Sequence, residues 1–131
     1  MPSVSTLTGA FRDMQATLRN ARWSWSAISD DGTTVVVTVW DDQIGPDGSV
    51  NTFGDPDRHI WENKLGNRYR ARDLAYAQKH CDGRFRVVRV TAADLDADPR
   101  VIVQRTPEHD LWMKVERLDE QTGEYFARRI A

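Results

Sequence analysis

Residues 23–40 read Trp23-Ser24-Trp25-Ser26-Ala27-Ile28-Ser29-Asp30-Asp31-Gly32-Thr33-Thr34-Val35-Val36-Val37-Thr38-Val39-Trp40, and the fold turns on them. Trp23, Trp25 and Ala27 alternate with Ser24, Ser26 and Ile28, the period of two that sends successive side chains to opposite faces of a strand. Asp30-Asp31-Gly32 supplies turn chemistry, because glycine takes up positive φ without strain and aspartate bonds its neighbouring backbone. A β-branched run from Thr33 to Trp40 has the composition of a second strand. The expectation is a β-hairpin with Trp23 and Trp25 on one face.

Upstream of this hairpin, Val4, Leu7, Phe11, Met14 and Leu18 recur at steps of three or four, which predicts an amphipathic helix over residues 4–20 capped by Ser3 or Ser5 and ended at Asn20. Downstream, residues 41–58 carry Gly45, Pro46, Gly48, Gly54 and Pro56 among aspartates and read as a long loop. Asn67 as N-cap, the apolar Ala71, Leu74 and Ala75, and the stop signal Cys81-Asp82-Gly83 predict a second helix over 68–81. Strands are expected at 85–90 and 101–105, separated by the acidic turn Thr91–Asp98 and Pro99, and a final hairpin at 111–118 and 125–130 around Asp119-Glu120-Gln121-Thr122-Gly123. Strands outnumber helices and do not alternate with them. The class is therefore α+β: one domain over 1–131, with a mixed or antiparallel sheet of about five to six strands carrying two helices.

A domain of 131 residues, 40% apolar, buries roughly two-thirds of its unfolded surface and needs no disulfide or metal to hold a core. The lone cysteine, Cys81, forms no internal disulfide, which points to a reducing, cytoplasmic setting. The longest apolar run, Val35–Val39, is far short of the ~20 residues of a membrane span, and no signal-peptide core is read near residue 1. No membrane partner and no cofactor are expected.

A net charge of −2 excludes a protein coated in positive potential, yet the charge is unevenly spread. Between Arg58 and Arg89 nine basic residues face only Glu62, Asp73 and Asp82, a local charge of +6. Helical spacing gathers Arg68, Arg72 and Lys79 on one face, with Tyr69 and Tyr76 interleaved. Such a face attracts phosphate through charge and counterion release, and aromatic rings stack on unpaired bases; the plainer alternative is a solvated face whose arginines pair with carboxylates. The tryptophans divide the same way. Trp23, Trp25 and Trp40 are either buried area for the core or a platform for a base.

Catalytic patterns come close and fail. Asp94, Asp96 and Asp98 have the first spacings of a calcium loop, but Pro99 and Arg105 stand where it requires glycine and glutamate. Pro46-Asp47 followed by Glu62-Asn63-Lys64 imitates the acid–acid–lysine pattern of metal-dependent nucleases, a short pattern common by chance. His80 and Cys81 are adjacent on a helix and point about 100° apart, which defeats a nucleophile–base pairing. His59, His80 and His109 lack metal-ligand spacing. No catalytic residue and no metal ligand is assigned.

Arg22-Trp23-Ser24-Trp25-Ser26-Ala27, Val39-Trp40, Gly66-Asn67-Arg68, the stretch from Cys81 to Val88, Asp98-Pro99-Arg100 and the stretch from Leu118 to Glu124 together resemble a small bacterial domain with a Trp-Ser-Trp strand, found alone or ahead of HNH nuclease domains in restriction-type proteins. The resemblance covers most of the chain and contains no HNH portion. It implies a sensing or DNA-reading module rather than a cutting unit. The leading expectation is a nucleic-acid-binding module, a reader of modified DNA linked to restriction or phage defence. Arg68, Arg70, Arg72 and Lys79 would engage phosphate beside Asn67, and Trp23, Trp25 or Trp40 would pack on a base or sugar. The alternatives are a non-catalytic protein-interaction module and, third, a small metal-dependent nuclease.

Overall fold

Both faces of the Val35–Trp40 strand are covered, which is why apolar residues stand on both of its sides rather than in alternation. Val35, Val37 and Val39 pack with Leu74 and Ala77 on one side of the sheet, while Val36 packs with Ala10, Phe11 and Met14 on the other. The structure, a computed structural model, describes residues 6–20, 23–97 and 100–130. Ser3, Val4, Ser5, Arg22, Asp98 and Pro99, named above, lie outside the described residues.

The elements in order are α1 (Leu7–Asp13), β1 (Ser26–Ile28), β2 (Val35–Trp40), a 3-10 turn at Asp41–Gln43, β3 (Val50–Asn51), α2 (Arg58–Trp61), α3 (Leu65–His80), β4 (Arg84–Ala92), β5 (Ile102–Leu118) and β6 (Tyr125–Arg129). They form one six-stranded mixed sheet in the order β1-β2-β4-β5-β6-β3. Among the described residues only β2 and β4 run parallel, with Val35 opposite Phe85 and Trp40 opposite Val90. A parallel neighbour requires a crossover, and α3 supplies it. The α+β class and the mixed sheet stand as expected; the single turn of α2 is an additional helix.

Several elements depart from the sequence pattern. Helix α1 ends at Asp13, because Gln15 turns at φ 61 and Ala16 then bridges to Ser29. Met14 and Leu18 are buried all the same, since the turn returns them to the α1 side of the sheet. The expected strands at 101–105 and 111–118 are one continuous β5, whose pairing with β4 jumps from Trp112 opposite Arg86 to Glu108 opposite Val87, so that residues 109–111 bulge out. The 41–58 loop contains β3, which adds to the far edge of the sheet beside β6. Helix α3 begins at Leu65 with Lys64 as N-cap, so Asn67 lies inside the helix. At its other end Gly83, at φ 75, donates its N–H to the Ala77 carbonyl and stops the helix as expected. Among the described residues no helix is long and apolar enough to cross a membrane.

Candidate functional site

Helix α3 carries arginines on opposite faces. Arg68, Arg72 and Lys79 are exposed, and Lys64 continues their stripe at the N-cap. None of the four side chains has an ion pair, hydrogen bond or ring contact among the described residues. The other basic residues of the 58–89 window are engaged. Arg58 bonds Glu62 and Glu124, Arg89 bonds Asp41 and Glu108, and Arg84 and Arg86 lie over the Trp112 ring. The stripe is thus solvated, as the plainer alternative has it, but the carboxylate pairing that alternative adds is met at Arg58 and Arg89 and not on the stripe.

Arg70, expected beside Arg68 and Arg72 at phosphate, lies instead inside. Two residues along a helix is a rotation of about 200°, and at that angle Arg70 shares the face of Asn67, Leu74 and Ala77, with 7% of its surface exposed. Its guanidinium sits 5.1 Å from the ring centre of Trp25, 5.4 Å from that of Trp61 and 5.2 Å from that of Tyr125. It makes one hydrogen bond, from a terminal nitrogen to Asn67 Oδ1 at 3.1 Å, and its Nε has no partner. No carboxylate pairs with it among the described residues. Burial draws its pKa down against an opposing pull from Tyr125, whose own phenol is pushed up by burial and whose hydroxyl also lacks a partner.

Close approaches hold these groups. A methyl group at Gly66 would run into the Trp25 indole, and one at Gly123 into the Asn67 amide, so both positions require glycine. Asn67, expected as an N-cap, is 2% exposed and spends its amide across the fold, donating to the carbonyls of Glu62 and Thr122 at 2.9 Å. Trp61 donates to Asp55 at 2.9 Å. Glu124 accepts from the Gly54 N–H and from Arg58, and these bonds, with one from Thr122, hold its carboxyl below the usual range. They fasten the 54–58 segment against the end of the last hairpin.

Around Arg70 opens a cleft of about 900 Å³ at the carboxyl ends of β2 and β4. Trp25, Trp40, Phe53, Trp61 and Lys64 line it with Arg70, and Asp42, Asp55, Asp57 and Asp96 add carboxylates. Asp42 is held by both terminal nitrogens of Arg100 at 2.9 Å, and that guanidinium covers the Trp40 ring.

The tryptophans are not a strand pair. Trp23 sits in a turn, 54% exposed, with its N–H bonded to Asn20; Trp25 precedes β1, although its carbonyl still accepts from Thr38. The alternation fails because α3 draws the Trp25 ring onto Gly66. Trp25 and Trp40 both line the cleft, and Trp23 is not among its lining residues. The interleaved tyrosines are engaged as well. Tyr76 donates to the Gly32 carbonyl at 2.7 Å, and Tyr69 lies under the Arg19 guanidinium.

Trp61, Phe53 and Lys64 were not singled out as binding residues, and no local motif marks the first two. A signal did exist for Arg70, because it stands four and seven residues before Leu74 and Ala77 on one helical face. The nuclease-like acids are engaged elsewhere: Asp47 accepts from Ser49, and Glu62 pairs with Arg58. Among the described residues no three His, Cys, Asp or Glu side chains gather as a metal site. Cys81 is half-buried and its thiol pKa is raised by burial, so little of it is thiolate.

Fold and site together define an α+β domain with an unpaired cationic stripe on its crossover helix and an aromatic cleft at that helix's start. No family model, curated protein or solved structure matches the chain.

Proposed function

We propose that the protein is a non-catalytic nucleic-acid-binding module that engages phosphates through Lys64, Arg68, Arg72 and Lys79. The observation that carries this reading is the absence of any partner for these four cations among the described residues, in a chain with 20 acidic residues and a net charge of −2. An acidic protein that leaves one helical stripe free of carboxylates presents a local positive field, and such a field binds polyanions with release of their counterions. The resemblance to modules that precede HNH nucleases supports DNA as the polyanion, modified DNA in a restriction or phage-defence setting as its source, and the bacterial cytoplasm as its place.

Fluorescence anisotropy of labelled double-stranded, single-stranded and cytosine-modified DNA at several salt concentrations tests this. The triple variant Arg68→Gln, Arg72→Gln, Lys79→Gln is expected to lose affinity for every sequence alike and to lower the salt slope by roughly one unit per lost contact. Equal binding by the triple variant, or no wild-type binding at low salt, overturns the reading. The protein-interaction alternative then takes its place, favoured by one observation. Residues 102–108 of β5 pair with β4 alone and, with Val101 62% and Val103 55% exposed, form an open, partly apolar edge.

A further inference from the structure

The donors of a buried guanidinium are ordinarily met by a carboxylate or by water, and Arg70 has no carboxylate partner among the described residues. It lies over the Trp25, Trp61 and Tyr125 rings at 5.1 to 5.4 Å, so attraction to the rings holds the cation in place. Its Nε is sealed and without a partner, and its two terminal nitrogens, which make a single bond to Asn67 among the described residues, leave donor capacity toward the cleft that Arg70 lines. The other buried charge of α3 shows what satisfaction looks like in this fold. Asp73, fully buried, accepts two hydrogen bonds from Arg19, at 3.2 and 2.7 Å, and one from Ser26 at 2.6 Å. Arg70 thus presents hydrogen-bonding capacity that the protein's own side chains leave open.

We infer that the cleft accepts a single unpaired nucleobase, whose acceptor edge bonds Arg70 and whose ring stacks on the tryptophans. This inference rests on the nucleic-acid reading above and names what the strand inserts. The carboxylates of Asp42, Asp55, Asp57 and Asp96 disfavour a second negative charge in the same space, which argues against a phosphate or carboxylate ligand. A base is neutral and flat, and it offers carbonyl and ring-nitrogen acceptors to a guanidinium edge and exocyclic amines to carboxylates. Guanine, with adjacent O6 and N7 acceptors, is the best match to a guanidinium. Lys64 supplies the continuity, because it belongs both to the phosphate stripe and to the cleft lining. A strand tracked along Arg72 and Arg68 arrives at Lys64 with its next base at the mouth of the cleft. Extruding that base from a stack is least costly where it is already unpaired.

The test uses the full chain and labelled duplexes that are fully paired, carry one unpaired guanine, or carry an abasic site at that position, with free guanosine as a competitor. Wild type is expected to prefer the unpaired guanine over the abasic duplex by roughly tenfold or more, the scale of one base stacked on an aromatic ring. Arg70→Met is expected to melt no lower than wild type, because it removes an uncompensated buried charge while retaining an unbranched stem. It should erase that preference and leave the salt slope intact. Should Arg70→Met melt early, Trp40→Leu on the other wall of the cleft should erase the preference in its place. A wild type that binds DNA yet treats the guanine and abasic duplexes alike overturns the base pocket alone. Guanosine bound as tightly as the guanine duplex overturns the strand-borne base in favour of a free nucleoside. No DNA binding at low salt overturns this inference and the nucleic-acid reading together.

Discussion

Arg68 and Arg72 stand on one side of α3 and Arg70 on the other, and the same side chain has opposite physics in the two places. Outside, a guanidinium in water costs nothing to keep charged and contributes almost nothing to the fold, so its position is free to serve a partner. Inside, it has lost its water, and three aromatic rings and one amide oxygen replace it only in part. Helical phase alone separates the cases. A count of basic residues in this window therefore overstates what a phosphate backbone meets, and understates what the interior of the cleft offers.

The largest effect expected from this contrast is on stability. Leu74→Ala, on the inner face and fully buried, should cost about 2–5 kcal/mol in urea denaturation, whereas Arg72→Ala should stay within about 0.5 kcal/mol. If the two variants unfold alike, α3 does not have the buried and solvated faces described. Gly66→Ala should follow, at about 1–3 kcal/mol, because the added methyl meets the Trp25 ring and either the indole or the helix must move. Trp25 fluorescence, taken as the difference between each protein and its Trp25→Phe variant, should change, and an unchanged difference spectrum would place Trp25 elsewhere.

Asp73→Asn removes the charge that Arg19 and Ser26 satisfy. Its cost should be about 2 kcal/mol, below the 3–5 kcal/mol of a fully buried pair, because the Arg19 side chain is 35% exposed. A double-mutant cycle with Arg19→Met isolates the coupling, and additivity of the two changes would show that the pair is not formed.

A smaller effect follows from Glu124, whose hydrogen bonds to Gly54, Thr122 and Arg58 fasten the segment that walls the cleft opposite α3. Its folded pKa lies below the ordinary 4.5, so its contribution to stability is fully present above that value and is lost as pH falls through the folded pKa. Melting temperature should therefore fall on acidification below about pH 4.5, and the Glu124→Gln variant should show a shallower fall over the same range. Parallel acid profiles for the two proteins would mean that Glu124 is free in solution.

The periodicities carried much of this fold. A β-branched run and the turn at Asp31-Gly32 sufficed for the β1–β2 hairpin, because turn chemistry and strand propensity are local forces acting over a few residues, whereas the alternation that would carry Trp23 and Trp25 into β1 did not hold. The Cys81-Asp82-Gly83 stop of α3 and the closing hairpin around Gly123 were legible for the same reason. The stripe of Arg68, Arg72 and Lys79 was legible too, since helical spacing alone gathers those positions. Contacts between distant segments were not. Asn67 looks like a cap until Thr122, fifty-five residues away, claims its amide. Trp25 looks like a strand residue until Gly66 admits its ring, and β5 looks like two strands until the sheet keeps both halves in line around a bulge. The cleft belongs wholly to this second kind: Trp25, Trp40, Phe53, Trp61 and Arg70 share no spacing in the chain, and only the parallel return of β4 beside β2, through α3, brings them to one place. Local periodicity determines which face of an element is apolar, whereas burial, close approach and the choice of hydrogen-bond partner depend on what the rest of the chain packs against it.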